Sequence, residues 1–142
     1  MQGGFAFADV HGDDSSDSDR QDSFLKKQMV FHPLMCDLEL EEFWVLLMNQ
    51  ANKVIDRVRI STGGISGTLV DVRSVLREAL LQRATQIAVV HNHPSGNARP
   101  SQEDKVLTQR ILVAVKTMDI HLIDHLIVCD GKYYSFADEG LV

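Results

Sequence analysis

The sequence predicts an α/β fold, a mixed sheet flanked by helices. Three observations carry it. Phe43 to Met48 is a compact apolar run with the length of a buried strand. Two later segments repeat apolar residues at helical spacing. Short β-branched or apolar segments lie on either side of the second helical segment, so strands and helices alternate.

Taken in order, residues 1–22 are rich in Gly, Ser and Asp and read as a disordered acidic tail. Residues 23–37 read as a short helix interrupted near Pro33, and residues 38–142 as the domain proper. After Phe43–Met48, the segment Val54–Ile60 places Val54, Val58 and Ile60 on one side and Arg57 and Arg59 on the other. Asn49 to Asn52 between them reads as a hairpin turn. Ser61–Gly64 is expected to be a loop, and Gly67–Asp71 a third extended piece. Val72, Val75, Leu76, Ala79 and Leu80 mark an amphipathic helix. Gln86–Val90 is a β-branched strand that delivers His91 and His93. A loop follows from Pro94 to Pro100, then a helix from Ser101 with Leu107, Ile111, Val115 and Met118 on its apolar side. Leu122–Val128 is another strand, and Asp130-Gly131 is a two-residue hairpin signal leading into Lys132–Phe136.

Composition narrows the function. The chain has 142 residues, enough for one domain and one core, with 44% apolar and 24% charged residues. Its net charge of −6 sits mostly in residues 1–22, where six acids face one arginine, and the remaining 120 residues carry about −1. Neither part has the basic footprint of a nucleic-acid binder, and Arg57, Arg59, Arg73 and Arg77 read as a solvated face. No apolar run approaches a membrane span and no export signal is visible, so the expected compartment is the cytoplasm. Cys36 and Cys129 are isolated and expected to be reduced.

The chemistry is concentrated in His91-Asn92-His93-Pro94-Ser95-Gly96, followed by Ser101 and Asp104. Two histidines separated by one residue project to the same side of a strand. Asp104, at the start of a helix, can add an oxygen. Two nitrogens, one carboxylate and a water make the ligand set of a catalytic zinc site, whereas structural sites are closed by four protein ligands. The same donors also suit Fe²⁺ or Mn²⁺. Ser101-x-x-Asp104 is in addition a capping box. A deaminase would need His-x-Glu and Pro-Cys-x-x-Cys, but His93 stands where that Glu would be and there are no paired cysteines. His125 reads more readily as a buried structural histidine than as a partner of a ligand histidine, and Asp124 points away from it on a regular strand.

The motif resembles the JAB/JAMM (MPN-type) metalloprotease fold family, whose architecture is cytidine deaminase-like. The likeness is to its RadC-like branch, through His91–Gly96, Pro100-Ser101-x-x-Asp104, Asp124–Val128, Gly131, Tyr134-Ser135-Phe136 and Glu42–Leu47. The resemblance implies that His91, His93 and Asp104 bind Zn²⁺, with water as fourth ligand. It implies that Ser101 polarises a substrate carbonyl. A glutamate at the entrance to the first strand would be the general base. Glu42 is expected in that role, with alternation sending Glu41 to the opposite face. The implied activity is hydrolysis of a peptide, isopeptide or related amide bond in a protein or peptide substrate. The alternative it implies is a non-catalytic module associated with DNA repair, binding DNA or protein. The segment Ser95–Pro100 is too short to suggest a grip on ubiquitin, and Ser61–Gly67 reads as a connecting loop rather than a flap.

Overall fold

The computed structural model describes residues 40–62 and 70–142. The acidic tail, the segment 23–37 and residues 63–67 of the expected Ser61–Gly67 loop lie outside them, while Ser61 and Thr62, expected in that loop, belong to the second strand. The described elements are β1 (Glu42–Met48), β2 (Val54–Thr62), α1 (Val72–Leu81), β3 (Gln86–Asn92), α2 (Gln102–Thr117), β4 (His121–Cys129) and β5 (Lys132–Ser135). They form a five-stranded mixed sheet in the order β2-β1-β3-β4-β5. β1 runs antiparallel to both β2 and β3, β3 and β4 are parallel, and β5 returns antiparallel to β4. A parallel pair needs a long crossover, and α2 supplies it between β3 and β4.

The turns follow from local chemistry. In the β1–β2 hairpin the Asn49 side chain accepts from the amides of Ala51 and Lys53, and Asn52 takes a left-handed φ of 65°, which Asn tolerates better than most residues. Asp130 and Gly131 both have positive φ, at 50° and 74°, as a two-residue hairpin turn matching the strand twist requires. Asp71 caps α1 by accepting from the Arg73 amide.

β1 and β3 are apolar on both faces. Phe43, Val45 and Leu47 of β1 and Ile87 and Val89 of β3 pack with Val75 and Ala79 of α1 and Leu107, Ile111 and Val115 of α2. Trp44, Leu46, Met48, Ala88, Val90, Leu126 and Val128 make a second cluster. Both described helices therefore lie on one face of the sheet, the face carrying the odd-numbered residues of β1 and β3.

Three further expectations change. Of Gly67–Asp71, the two described residues, Val70 and Asp71, lie outside any strand, and Asp71 belongs to the helix cap. Val54 does not share a side with Val58 and Ile60. It packs with the second cluster while they pack with the first, because a register shift between Leu47 and Met48 inserts Ile55 and reverses the phase. Met118 is the C-cap of α2, past its last helical turn, and is 45% exposed rather than on the apolar side. No described helix is long and apolar enough to cross a membrane.

Candidate metal centre

The sheet face that carries the helices ends in the polar cluster. His91 continues the row of Ile87 and Val89 and is buried against Phe43, which pairs with it across β1 and β3 and stacks on its ring at 5.8 Å. His93 lies just past the strand end. Asp104 reaches the same point from the first turn of α2. Ser101 Oγ accepts from the Asp104 amide at 3.0 Å, and the Asp104 carboxylate accepts from the Ser101 amide at 2.8 Å. This reciprocal cap fixes the start of α2, and Glu103 and Asp104 complement the helix dipole there.

Nε2 of His91 and Nε2 of His93 are 2.9 Å apart. The Asp104 oxygens lie 3.3 Å from the first and 3.2 Å from the second. Ligands at about 2.0 Å from a tetrahedral ion are separated by about 3.3 Å, so these three donors fit one small divalent cation. His91, His93 and Asp104 thus form a group that could hold a metal. The other ring nitrogens have partners, as ligand imidazoles require. Nδ1 of His93 donates to the Asn97 carbonyl at 2.7 Å, and Nδ1 of His91 lies 2.8 Å from Nε2 of His125.

Electrostatics suits a cation. Burial pushes the Asp104 carboxyl up, but the His91 and His93 imidazoles beside it and the bond from the Ser101 amide outweigh it and hold the group far below the usual carboxylate range. Burial pushes His93 down, and its bonds to Asp104 and Asn97 reverse the sign, leaving it raised. Fully buried His125 is held well below the ordinary imidazole value by burial and by its neighbour His91.

A RadC-like JAB domain model matches residues 22–141. The chain belongs to the RadC-like JAB domain family. This is a JAMM/MPN-related family, and the mixed sheet with two helices is consistent with its fold. Among its relatives, a UPF0758 protein of Flavobacterium johnsoniae is 48% identical over 112 residues, covering 79% of this chain and 49% of the relative. A UPF0758 protein of Porphyromonas gingivalis is 44% identical over 132 residues, covering 90% and 58%. The UPF0758 protein YfjY of Escherichia coli is 45% identical over 108 residues, covering 76% and 68%. This RadC-like JAB chain thus spans about half the length of the first of these relatives.

The two glutamates at the entrance to β1 take the opposite places from those expected. Glu42 faces away from the cluster: its Oε1 accepts from the Trp44 indole at 2.8 Å and its Oε2 lies 3.7 Å from Arg59. Trp44 belongs to the second apolar cluster. Glu41 is on the side of the histidines, within electrostatic reach of His91, His93 and Asp104. The reason is register. Phe43 pairs with His91, and directly paired residues share a face, so the odd-numbered residues of β1 line the side of His91 and His93. Burial raises the Glu41 carboxyl above its ordinary value, His91 and His93 oppose this, and Asp104 reinforces it.

Other contributors were not singled out from sequence. Asn92, between the two histidines, is buried, accepts from the Glu42 amide at 2.7 Å and donates to the Leu40 carbonyl at 3.0 Å. It clamps the backbone on both sides of Glu41. Thr108, one helical turn after Asp104, contacts His125 at 2.6 Å. That i, i+4 spacing was visible; the contact with β4 was not. His125 is therefore a partner of His91, not a purely structural histidine. Its ring stacks on Phe136 at 4.5 Å and meets Phe43 edge-on. Asp124 faces the other way, as expected, and accepts from Ser135 Oγ and the Ala137 amide, fixing the segment that carries Phe136.

Proposed function

We propose that this domain is a zinc-dependent hydrolase of the JAMM type that cuts a peptide, isopeptide or related amide bond. The observation that carries the reading is the convergence of His91, His93 and Asp104 with Glu41 beside them. Bound by those three side chains, zinc supplies a Lewis acid and brings the pKa of water from about 15.7 towards about 7.

The chain's own residues supply the rest. Glu41 is the base: its carboxylate accepts the proton of the attacking water and passes it to the leaving nitrogen. Burial raises its pKa, which makes its carboxylate a better proton acceptor than that of an exposed glutamate. Asn92 holds the Glu41 backbone in place through Leu40 and Glu42. Ser101 Oγ accepts from the Asp104 amide, which leaves its own proton to donate to the developing oxyanion. Ser101 is exposed, as a group that meets substrate must be. Arg59, Arg73 and Arg77 each face a carboxylate, which weakens the alternative of a DNA-binding module.

The test is metal content by elemental analysis, wild type beside Asp104→Ala, followed by a peptide and isopeptide cleavage panel with Glu41→Gln as control. About one zinc per chain, absent from Asp104→Ala, with cleavage that Glu41→Gln lacks, supports the reading. A wild type that takes up no zinc on incubation would sink it.

A further inference from the structure

We propose that Thr108 and His125 form a tautomer lock that keeps the single proton of neutral His91 on Nδ1 and its lone pair on Nε2. The inference rests on the reading of His91, His93 and Asp104 as metal ligands.

A ligand imidazole needs its other nitrogen to be the donor. His93 achieves this in the simplest way, against the Asn97 carbonyl, which can only accept. His91 faces the imidazole of His125. An imidazole nitrogen can donate or accept, so this contact alone does not decide which ring carries the shared proton. The next residue decides it. Thr108 Oγ1 has one proton and gives it to the Asp104 backbone carbonyl at 2.8 Å. The 2.6 Å contact between Thr108 Oγ1 and His125 Nδ1 must then use the His125 proton. His125 Nε2 is left as an acceptor, His91 Nδ1 becomes the donor, and His91 Nε2 presents a bare lone pair towards His93 and Asp104.

Turning the Thr108 hydroxyl towards His125 would reverse every bond in the chain. It would put the proton on His91 Nε2, which then could not bind a metal. Thr108, His125 and His91 are all buried, so exchange with bulk water does not relax the order. Phe136 and Phe43 hold the His125 ring against rotation. Asp104 thus serves the site twice, through its carboxylate and through the carbonyl that orients Thr108. Thr108 and His125 are positioning residues; neither lies among the three ligand groups.

The experiment uses the whole chain with Thr108→Val, which removes the hydroxyl at nearly constant shape, and Thr108→Ser, which keeps it. Histidine ¹⁵N NMR of metal-free protein at about pH 9, well above the ordinary imidazole pKa of about 6.5, reads the tautomer. Competition with a chromophoric chelator reads zinc affinity. Wild type and Thr108→Ser are expected to hold His91 as the Nδ1–H form. Thr108→Val should shift it towards Nε2–H and weaken zinc binding about 10–100-fold. Should Thr108→Val not fold, Thr108→Ala gives the same readouts. A hydroxyl-free variant that keeps His91 as Nδ1–H and binds zinc within about twofold of wild type overturns the lock and leaves the metal site standing. Absence of zinc binding in wild type overturns the metal reading. An Nε2–H tautomer in wild type overturns the lock whether or not zinc binds.

Discussion

Replacing Asp104 separates two tasks its carboxylate performs at once. One is structural: it accepts from the Ser101 amide at 2.8 Å and closes the capping box of α2. The other, on the proposed reading, is to bind a metal, through oxygens 3.3 and 3.2 Å from the two Nε2 atoms. Asp104→Ala removes both functions, whereas Asp104→Asn keeps an acceptor for the cap and loses the charge. Without metal, losing the cap costs about 1 kcal/mol, or about 4 °C in Tm for a domain of this size. With zinc at about 100 times its Kd, wild type gains about 2.7 kcal/mol, or about 10 °C on the same conversion. Thermal unfolding followed by circular dichroism, each variant in EDTA and in zinc, resolves the two. Asp104→Ala is expected to melt slightly low in EDTA and to gain nothing from zinc. Asp104→Asn is expected to melt closer to wild type than Asp104→Ala in EDTA, having kept the cap acceptor, and likewise to gain nothing from zinc. A full zinc-dependent rise in Asp104→Ala would refute its role as a ligand, and an equal fall of both variants in EDTA would refute the capping argument.

Glu41→Gln should retain zinc and lose about 10²–10⁴ in turnover on any peptide or isopeptide that wild type cleaves, while Glu42→Gln, whose amide oxygen can still accept from the Trp44 indole, keeps turnover and changes stability by less than about 1 kcal/mol; steady-state rates on both variants check this, and the reverse ranking would restore Glu42 as the base. Ser101→Ala should keep stoichiometric zinc, lose about 0.5–2 kcal/mol with its cap and drop in turnover by about 10²–10³, and unchanged rates would remove Ser101 from the reaction. Ile111→Ala, fully buried between α2 and the sheet, should cost about 2–5 kcal/mol in denaturant unfolding, and a loss under about 1 kcal/mol would mean that α2 is not anchored there.

Apart from the third extended piece expected over Gly67–Asp71, whose two described residues lie outside any strand, the strand and helix order of the described residues was legible because apolar spacing and turn residues act locally. The β1–β2 turn and the Asp130-Gly131 hairpin are examples, each set by the conformational tolerance of its own residues. The proximity of His91, His93 and Asp104 was legible for a related reason: a strand, a short loop and a capped helix leave little freedom between them. The facing of Glu41 and Glu42 was not. Phe43 to Met48 is buried on both sides, so its hydrophobicity carries no phase, and the deciding fact is the pairing of Phe43 with His91, 48 residues along the chain. Val54 was misassigned because a bulge leaves no mark in the alternation it interrupts. The contact of Thr108 with His125 depends on how α2 docks on β4, a tertiary fact with no local signature.

The three donor residues, with Thr108 and His125, all fall between Gln86 and Cys129, within the single unit β3–α2–β4. Glu41 alone comes from outside that unit, from the residue just before β1, far upstream in the chain. If the proposed hydrolase reading holds, capturing an ion and attacking a bond are therefore separately heritable. On that reading, drift at the entrance to β1 would remove the base and leave a descendant whose three donors could still hold an ion as a structural or sensing element. Damage inside the crossover unit would extinguish both at once. Selection on this domain should accordingly be uneven along the chain, strictest from β3 to β4 and released first at β1 in any lineage that no longer needs the reaction.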